Sequence, residues 1–246
     1  MKLQNNAPDE QPGTVIANDT SDEASIENSD SRPNYDVVSA LIERSKAGAS
    51  PAELGKLLRT DPILTYALLT DINSGSAVPT SHVTSCAQAI ELIGLTSLIE
   101  WLESALLHAV KSNGLSENVK NALIRARFME LMGRTTMSRE DTEDMYLVGL
   151  FSRLDKMLDI PLVELILPLP FSEELHAAIL ENRGRIGRLL KFSQSIEKAD
   201  ESGMDFMQTN LHLPSMQVYE AYNKAYDWMT TIDAQRAAAA PVSQAD

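Results

Sequence analysis

Two helix starts follow each other so closely in this chain that they leave room only for short, sharply punctuated helices. Ser50-Pro51-Ala52-Glu53 combines a capping box, in which the Ser and Glu side chains each satisfy an orphan backbone N–H, with proline at the first helical position. Asp61-Pro62 repeats the device after one intervening helix carried by Leu54, Leu57 and Leu58. The helix it opens holds Ile63, Leu64, Ala67, Leu68 and Ile72 and breaks at Asn73-Ser74-Gly75. Upstream, Asn34 caps a helix with Val37, Val38, Leu41 and Ile42 on its inner stripe, ended by Gly48.

The same spacing continues downstream. A polar loop with Pro79 and His82 leads to a helix at about 84–93, stopped by Gly94. Ser97-Leu98-Ile99-Glu100 is a second capping box, and the helix it opens carries Leu98, Ile99, Trp101, Leu102, Leu106 and Leu107. Apolar residues cover so much of its circumference that it is expected at the centre of the core. Further helices are expected at about 116–136, 139–158, 161–167, 173–181, 185–200 and 214–232. Nowhere do Val, Ile, Thr and aromatics alternate as a strand requires, so the expected fold is an all-α multi-helix bundle.

Residues 1–34 hold seven acidic side chains and two basic ones, with too little apolar surface to offset their ordering entropy. They read as a disordered acidic leader, 35–233 as one helical domain with a C-terminal helical extension, and 234–246 as a frayed tail. The formal net charge of −14 repels a phosphate backbone, so nucleic acid is not an expected partner. The single cysteine, Cys86, cannot form an internal disulfide and suits a reducing, cytoplasmic setting. No secretory signal or run of about 18 apolar residues is present, so no direct membrane insertion is expected.

Ser50-Pro51-Ala52-Glu53-Leu54, Thr60-Asp61-Pro62-Ile63-Leu64, Leu68-Leu69 and Ile72-Asn73-Ser74 resemble the HDOD domain, in which an "SxxELA" helix precedes a "DPxL" helix ending in "NS". Ala87 to Leu95 is similar to the family's "QAIxLLG" block. Arg125 to Met132, Tyr146 to Ser152, and Pro161-Leu162 fit in the same order, so the resemblance runs from about Tyr35 to about Glu197. It looks most like the HDOD half of bacterial proteins that pair an EAL domain with HDOD. Residues 1–34 are too short for an EAL segment, which implies a freestanding regulatory half.

HDOD is similar in turn to the HD phosphohydrolases, whose "GLLHDIGK" stretch corresponds here to Gly149-Leu150-Phe151-Ser152-Arg153-Leu154-Asp155-Lys156. Ser152 stands where the resemblance puts a metal-binding His, and Arg153 where it puts Asp. A fixed positive charge at a ligand position opposes a divalent cation at contact distance, so no metal, cofactor or catalytic residue is expected. His82, His108, His176 and His212 include no pair at helical spacing. The rival reading is a residual HD-type phosphohydrolase with relocated ligands drawn from His108, His176, Asp141, Asp144 and Asp155. Cys86, without an evident activating neighbour, reads as a packing thiol. The glycines of Gly184-Arg185-Ile186-Gly187-Arg188 read as helix punctuation, because no strand precedes them.

Three places could receive a partner. Asn73 and Ser74, with the loop to His82, either cap a helix end or shape a docking loop. Arg183, Arg185, Arg188 and Lys191 form a basic strip in an acidic chain, with Arg185 and Arg188 on one helical face; the strip is either solvated or a dock for an acidic partner. Met204, Phe206, Met207, Leu211 and Leu213 either fold back on the core or offer an adaptable apolar surface, with Tyr219, Tyr222, Tyr226 and Trp228 packing beside them. The leading expectation is therefore a non-catalytic signal-transduction module that acts through contacts with protein partners, other signalling proteins among them. The alternatives are the residual phosphohydrolase and a sensor whose helical cavity takes a small second messenger.

Overall fold

Helix starts are set by side chains that take up orphan N–H groups, and three of the positions read from the sequence hold, Asn34, Ser50 and Asp61. The computed structural model describes residues 29–74, 83, 85–134, 139–202 and 211–239, with the backbone alone for residues 29, 139–141 and 239. Asn34 Oδ1 accepts from the Val37 N–H at 3.1 Å and opens α1 (Tyr35–Lys46). Ser50 and Glu53 form the reciprocal capping box of α2 (Pro51–Leu58). Asp61 Oδ1 accepts from the Leu64 N–H at 3.0 Å and starts α3 (Pro62–Ser74).

The remaining helices are α4 (Cys86–Leu106), α5 (Glu117–Gly133), α6 (Arg139–Phe151), α7 (Leu154–Leu158), α8 (Leu162–Ile166), α9 (Glu173–Glu181), α10 (Gly184–Glu197) and α11 (Ser215–Ala239). Among the described residues no strand forms, and one isolated bridge joins Asn34 to Val110. The fold is all-α. It divides into an N-terminal group, in which α1, α2 and α3 pack on α4, and a C-terminal group built on α5, against which α6, α10 and α11 lie.

Gly94 does break the fourth helix, with φ 75° and ψ 158°, but helical geometry resumes at once after it. Ser97 therefore lies inside the second segment instead of opening it. Nor is that segment central: Leu98 and Leu102 are buried while Leu107 is 80% exposed. The centre is the α5–α6 pair, where Ala122, Leu123, Ala126, Met129, Val148, Leu150 and Phe151 are all fully buried. An apolar circumference was a poor guide because apolar residues also populate surfaces.

The chain ends also differ from the expected bounds. Residues 33–35 are tied down, with Val110 N–H donating to Pro33 O at 2.9 Å and Asn34 N–H donating to Asp61 Oδ2 at 2.7 Å. The last helix continues to Ala239, and Arg236, placed in the expected frayed tail, is buried and donates from Nη2 to Thr60 O at 2.7 Å. Its inner face is Ala221, Ala225, Met229 and Ile232, whereas Tyr219 and Tyr226 of the expected tyrosine stripe point outward. Tyr222 alone of that stripe reaches an aromatic of the core, edge-on to Phe128 at 6.2 Å. Residues 1–28, His82, Met204, Phe206 and Met207 lie outside the described residues. No helix among the described residues is long and apolar enough to cross a membrane.

Candidate functional site

The stretch Gly149-Leu150-Phe151-Ser152-Arg153 lies where α6 gives way to α7. Gly149 is required by a close crossing: a Cβ there would fall 2.6 Å from the Ala126 Cα of α5. That approach sets Arg125 beside Ser152. Ser152 Oγ donates to Gly149 O at 2.7 Å and accepts from Arg125 Nη1 at 2.7 Å. The other arginine donors fork onto Glu197 at the end of α10, Nε to Oε1 at 2.8 Å and Nη2 to Oε2 at 2.6 Å.

Arg153 closes the arrangement, with Nη1 3.6 Å from Glu197 Oε2 and Nη2 donating to Asn118 Oδ1 at 3.0 Å. Burial, followed by the adjacent Arg125 charge, pulls the Arg153 pKa below the ordinary arginine value. A guanidinium nevertheless stays charged at any physiological pH. Two cations therefore share the Glu197 carboxylate. The residues present do not fit a divalent cation, because it would meet two fixed positive charges and a single, already forked, carboxylate.

The three described histidines lie apart from this cluster. His108 and His212 are exposed, and His176 Nε2 lies 3.1 Å from Ile166 O with its ring against Phe171. Asp155 pairs with Lys156 at 3.2 Å. Among the described residues no three of His, Cys, Asp and Glu stand close enough together to hold a metal ion.

A second polar cluster, which the sequence reading missed, lies at the junction of the two helix groups. A cavity of about 480 Å³ is walled by α2, the start of α4, the end of α5 and the first half of α6. Buried Glu130 receives three arginines on its wall: Arg59 at 3.1 Å, Arg127 at 2.5 Å and Arg134 at 3.1 Å. Burial pushes its carboxyl up, but the Arg59 and Arg127 charges outweigh that and hold the pKa below the usual glutamate value. The Arg59 guanidinium also covers the Tyr146 ring at 3.6 Å, while Tyr146 Oη donates to Arg59 O at 2.9 Å. Cys86 faces the same cavity, and burial drives its thiol up to about 12. Its burial, at 4% exposed, suits a packing thiol.

A family model for the HDOD domain matches residues 35–163, just over half of the 246-residue chain. The chain belongs to the HDOD family. Membership supports a role in signalling. The chain is 29% identical over 178 residues to the Cyclic di-GMP phosphodiesterase CdgJ of Vibrio cholerae, covering 72% of this chain and 41% of that protein. It is 27% identical over 197 residues to the uncharacterized protein YuxH of Bacillus subtilis, covering 79% of this chain and 47% of that protein. It thus spans less than half the length of either relative. The MmoQ response regulator from Methylococcus capsulatus shares the fold, with a TM-score of 0.59 at 15% identity over 78% of this chain and 98% of that one.

The HDOD match stops in α8, whereas the resemblance read from the sequence ran on to about Glu197. Glu197, which holds Arg125 and Arg153, therefore comes from a helix beyond the family match. Of the expected partner-binding residues in this HDOD chain, Asn73 is structural: Nδ2 donates to Leu69 O at 2.6 Å and Val83 O at 3.2 Å, and Oδ1 accepts from Val83 N–H at 3.3 Å. It staples the returning chain to the end of α3. Ser74 is exposed and donates to Asp71 O. Arg185 and Arg188 are both exposed on one face of α10. His82 and Phe206 belong to the segments outside the described residues.

Proposed function

We propose that this HDOD chain is a regulatory module without a hydrolytic centre of its own, which passes its signal on by contact with other proteins. The observation that supports this is the Arg125–Ser152–Arg153–Glu197 cluster, formed by the stretch that the sequence resemblance aligns with the HD metal ligands. Hydrolysis there would need a cation to activate water, and the guanidiniums of buried Arg125 and half-buried Arg153 raise the electrostatic cost of admitting one. The phosphodiesterase named among the relatives is more than twice as long as the segment matched here, so its activity does not transfer by similarity. Contact is supported by Arg185 and Arg188, exposed on α10 in a chain of net charge −14 and suited to an acidic partner surface.

The test is direct. Purified protein given manganese, magnesium or iron is expected to release no product from cyclic or linear nucleotides above a metal-only blank. Turnover that disappears when Glu197 or His176 is replaced would overturn the reading. For the contact itself, an Arg185→Glu/Arg188→Glu double variant is expected to lose protein partners that the intact chain captures; unchanged capture would remove α10 as the docking face.

A further inference from the structure

The junction cavity is not explained by a role in contact alone. Its charged wall consists of Lys56, Arg59 and Arg134 against Glu130 and Glu143. Glu130 is already bonded by Arg59, Arg127 and Arg134, so its negative charge is more than balanced locally. The cavity is thus a positive spot in a strongly acidic protein, and such a field concentrates anions. Arg134 is 52% exposed along its side chain and Lys56 is exposed, so both have donors to offer a ligand at the mouth.

The rest of the wall suits a ligand with a body as well as a charge. Ala52, Ala87, Leu147 and the Tyr146 ring give apolar area. The first residues of α4 also line it, adding the positive end of a helix to the same wall. A volume of about 480 Å³ falls within the usual range for small-molecule sites, roughly 300–1,000 Å³, and far exceeds what one bound ion needs. Glu143, on the same wall, would repel a bare polyanion and accept from an N–H of a ring.

We propose that this cavity binds a small organic phosphate of about mononucleotide size, its phosphate on Arg59, Arg134 and Lys56 and its ring toward Leu147 and Glu143. The site shares no residue with the Arg125–Glu197 cluster, so it stands or falls apart from the proposed function. Because α2 and α4 belong to one helix group and α5 and α6 to the other, an occupant touches both and ties their relative position to its own binding.

Calorimetry and thermal unfolding of the full chain with guanosine and adenosine monophosphates, the parent nucleosides and inorganic phosphate test this. A nucleoside monophosphate is expected to bind and raise the melting temperature in proportion to the logarithm of its concentration, the nucleosides much less. Arg134→Ala and Lys56→Ala, at exposed positions, are expected to weaken that binding about tenfold each while leaving the ligand-free melting temperature near that of the parent. Absence of any shift at millimolar monophosphate would overturn the proposal. So would binding that the two variants leave unchanged, or inorganic phosphate binding as tightly as the nucleotides, which would reduce the site to an ion trap.

Discussion

Two carboxylates in this protein are each gripped by arginines, and their surroundings make them opposites. Glu197 is held by Arg125 in a closed pair, where Arg125 is 4% exposed along its side chain, and also by the half-buried Arg153, 23% exposed. Glu130 is held by three arginines at the edge of a cavity, where Arg59 and Arg127 keep 21% and 26% of their side-chain surface. A closed ion pair leaves nothing for water to do, so losing one partner strands a charge. An open one can exchange a protein partner for water or a ligand. The first arrangement locks the α6–α7 junction; the second keeps cationic donors available.

Removing Glu197 is the largest expected blow to that contrast. Glu197→Ala leaves Arg125 buried without its carboxylate and is expected to cost about 3–5 kcal/mol, read as a lower urea midpoint at an unchanged slope. A loss near zero would mean that water reaches Arg125 and that the cluster is not closed. Glu130→Gln should cost less, about 1–2 kcal/mol, because its arginines can be rehydrated from the cavity. Its pH signature is specific. The folded-state pKa of Glu130 lies below its ordinary value of 4.5, so its contribution is present above that value and fades as the pH falls through the folded pKa. Parent and Glu130→Gln stabilities are therefore expected to converge in that acid range; a constant gap would show that the charge on Glu130 is not what the arginines stabilise.

Much of this fold was legible because helix starts are local. Asn34, Ser50 and Asp61 each cap within three residues of themselves, and Gly94 needs its positive φ whatever surrounds it. Ser97 failed as a start because the helix had already resumed after Gly94, and a capping box has no meaning inside a helix. The face of α11 failed for another reason. Tyrosines suggested burial, yet small Ala221 and Ala225 turn inward and let α11 lie close on α5. Of the candidate site, Ser152 and Arg153 were visible through family resemblance, but their carboxylate was not: Arg125 and Glu197 are 72 positions apart, and no local pattern links them. Arg127 and Arg134 flank Glu130 at i−3 and i+4, a helical cue open to inspection, whereas Arg59 arrives from α2 by tertiary packing alone.

The smaller effects sharpen the comparison at its edges. Ser152→Ala removes the hydroxyl that accepts from Arg125 while leaving the fork to Glu197, so about 1 kcal/mol is expected, a fraction of the Glu197 effect. Arg134→Ala should be milder still, within about 0.5 kcal/mol, since its half-exposed guanidinium is one of three on Glu130. Equal losses from Ser152→Ala and Arg134→Ala in denaturant melts would erase the distinction between a closed cluster and an open one. The ordering, more than either value, carries the argument: a group whose partner can be replaced by solvent contributes little to folding, and that same replaceability is what leaves it able to bind something else.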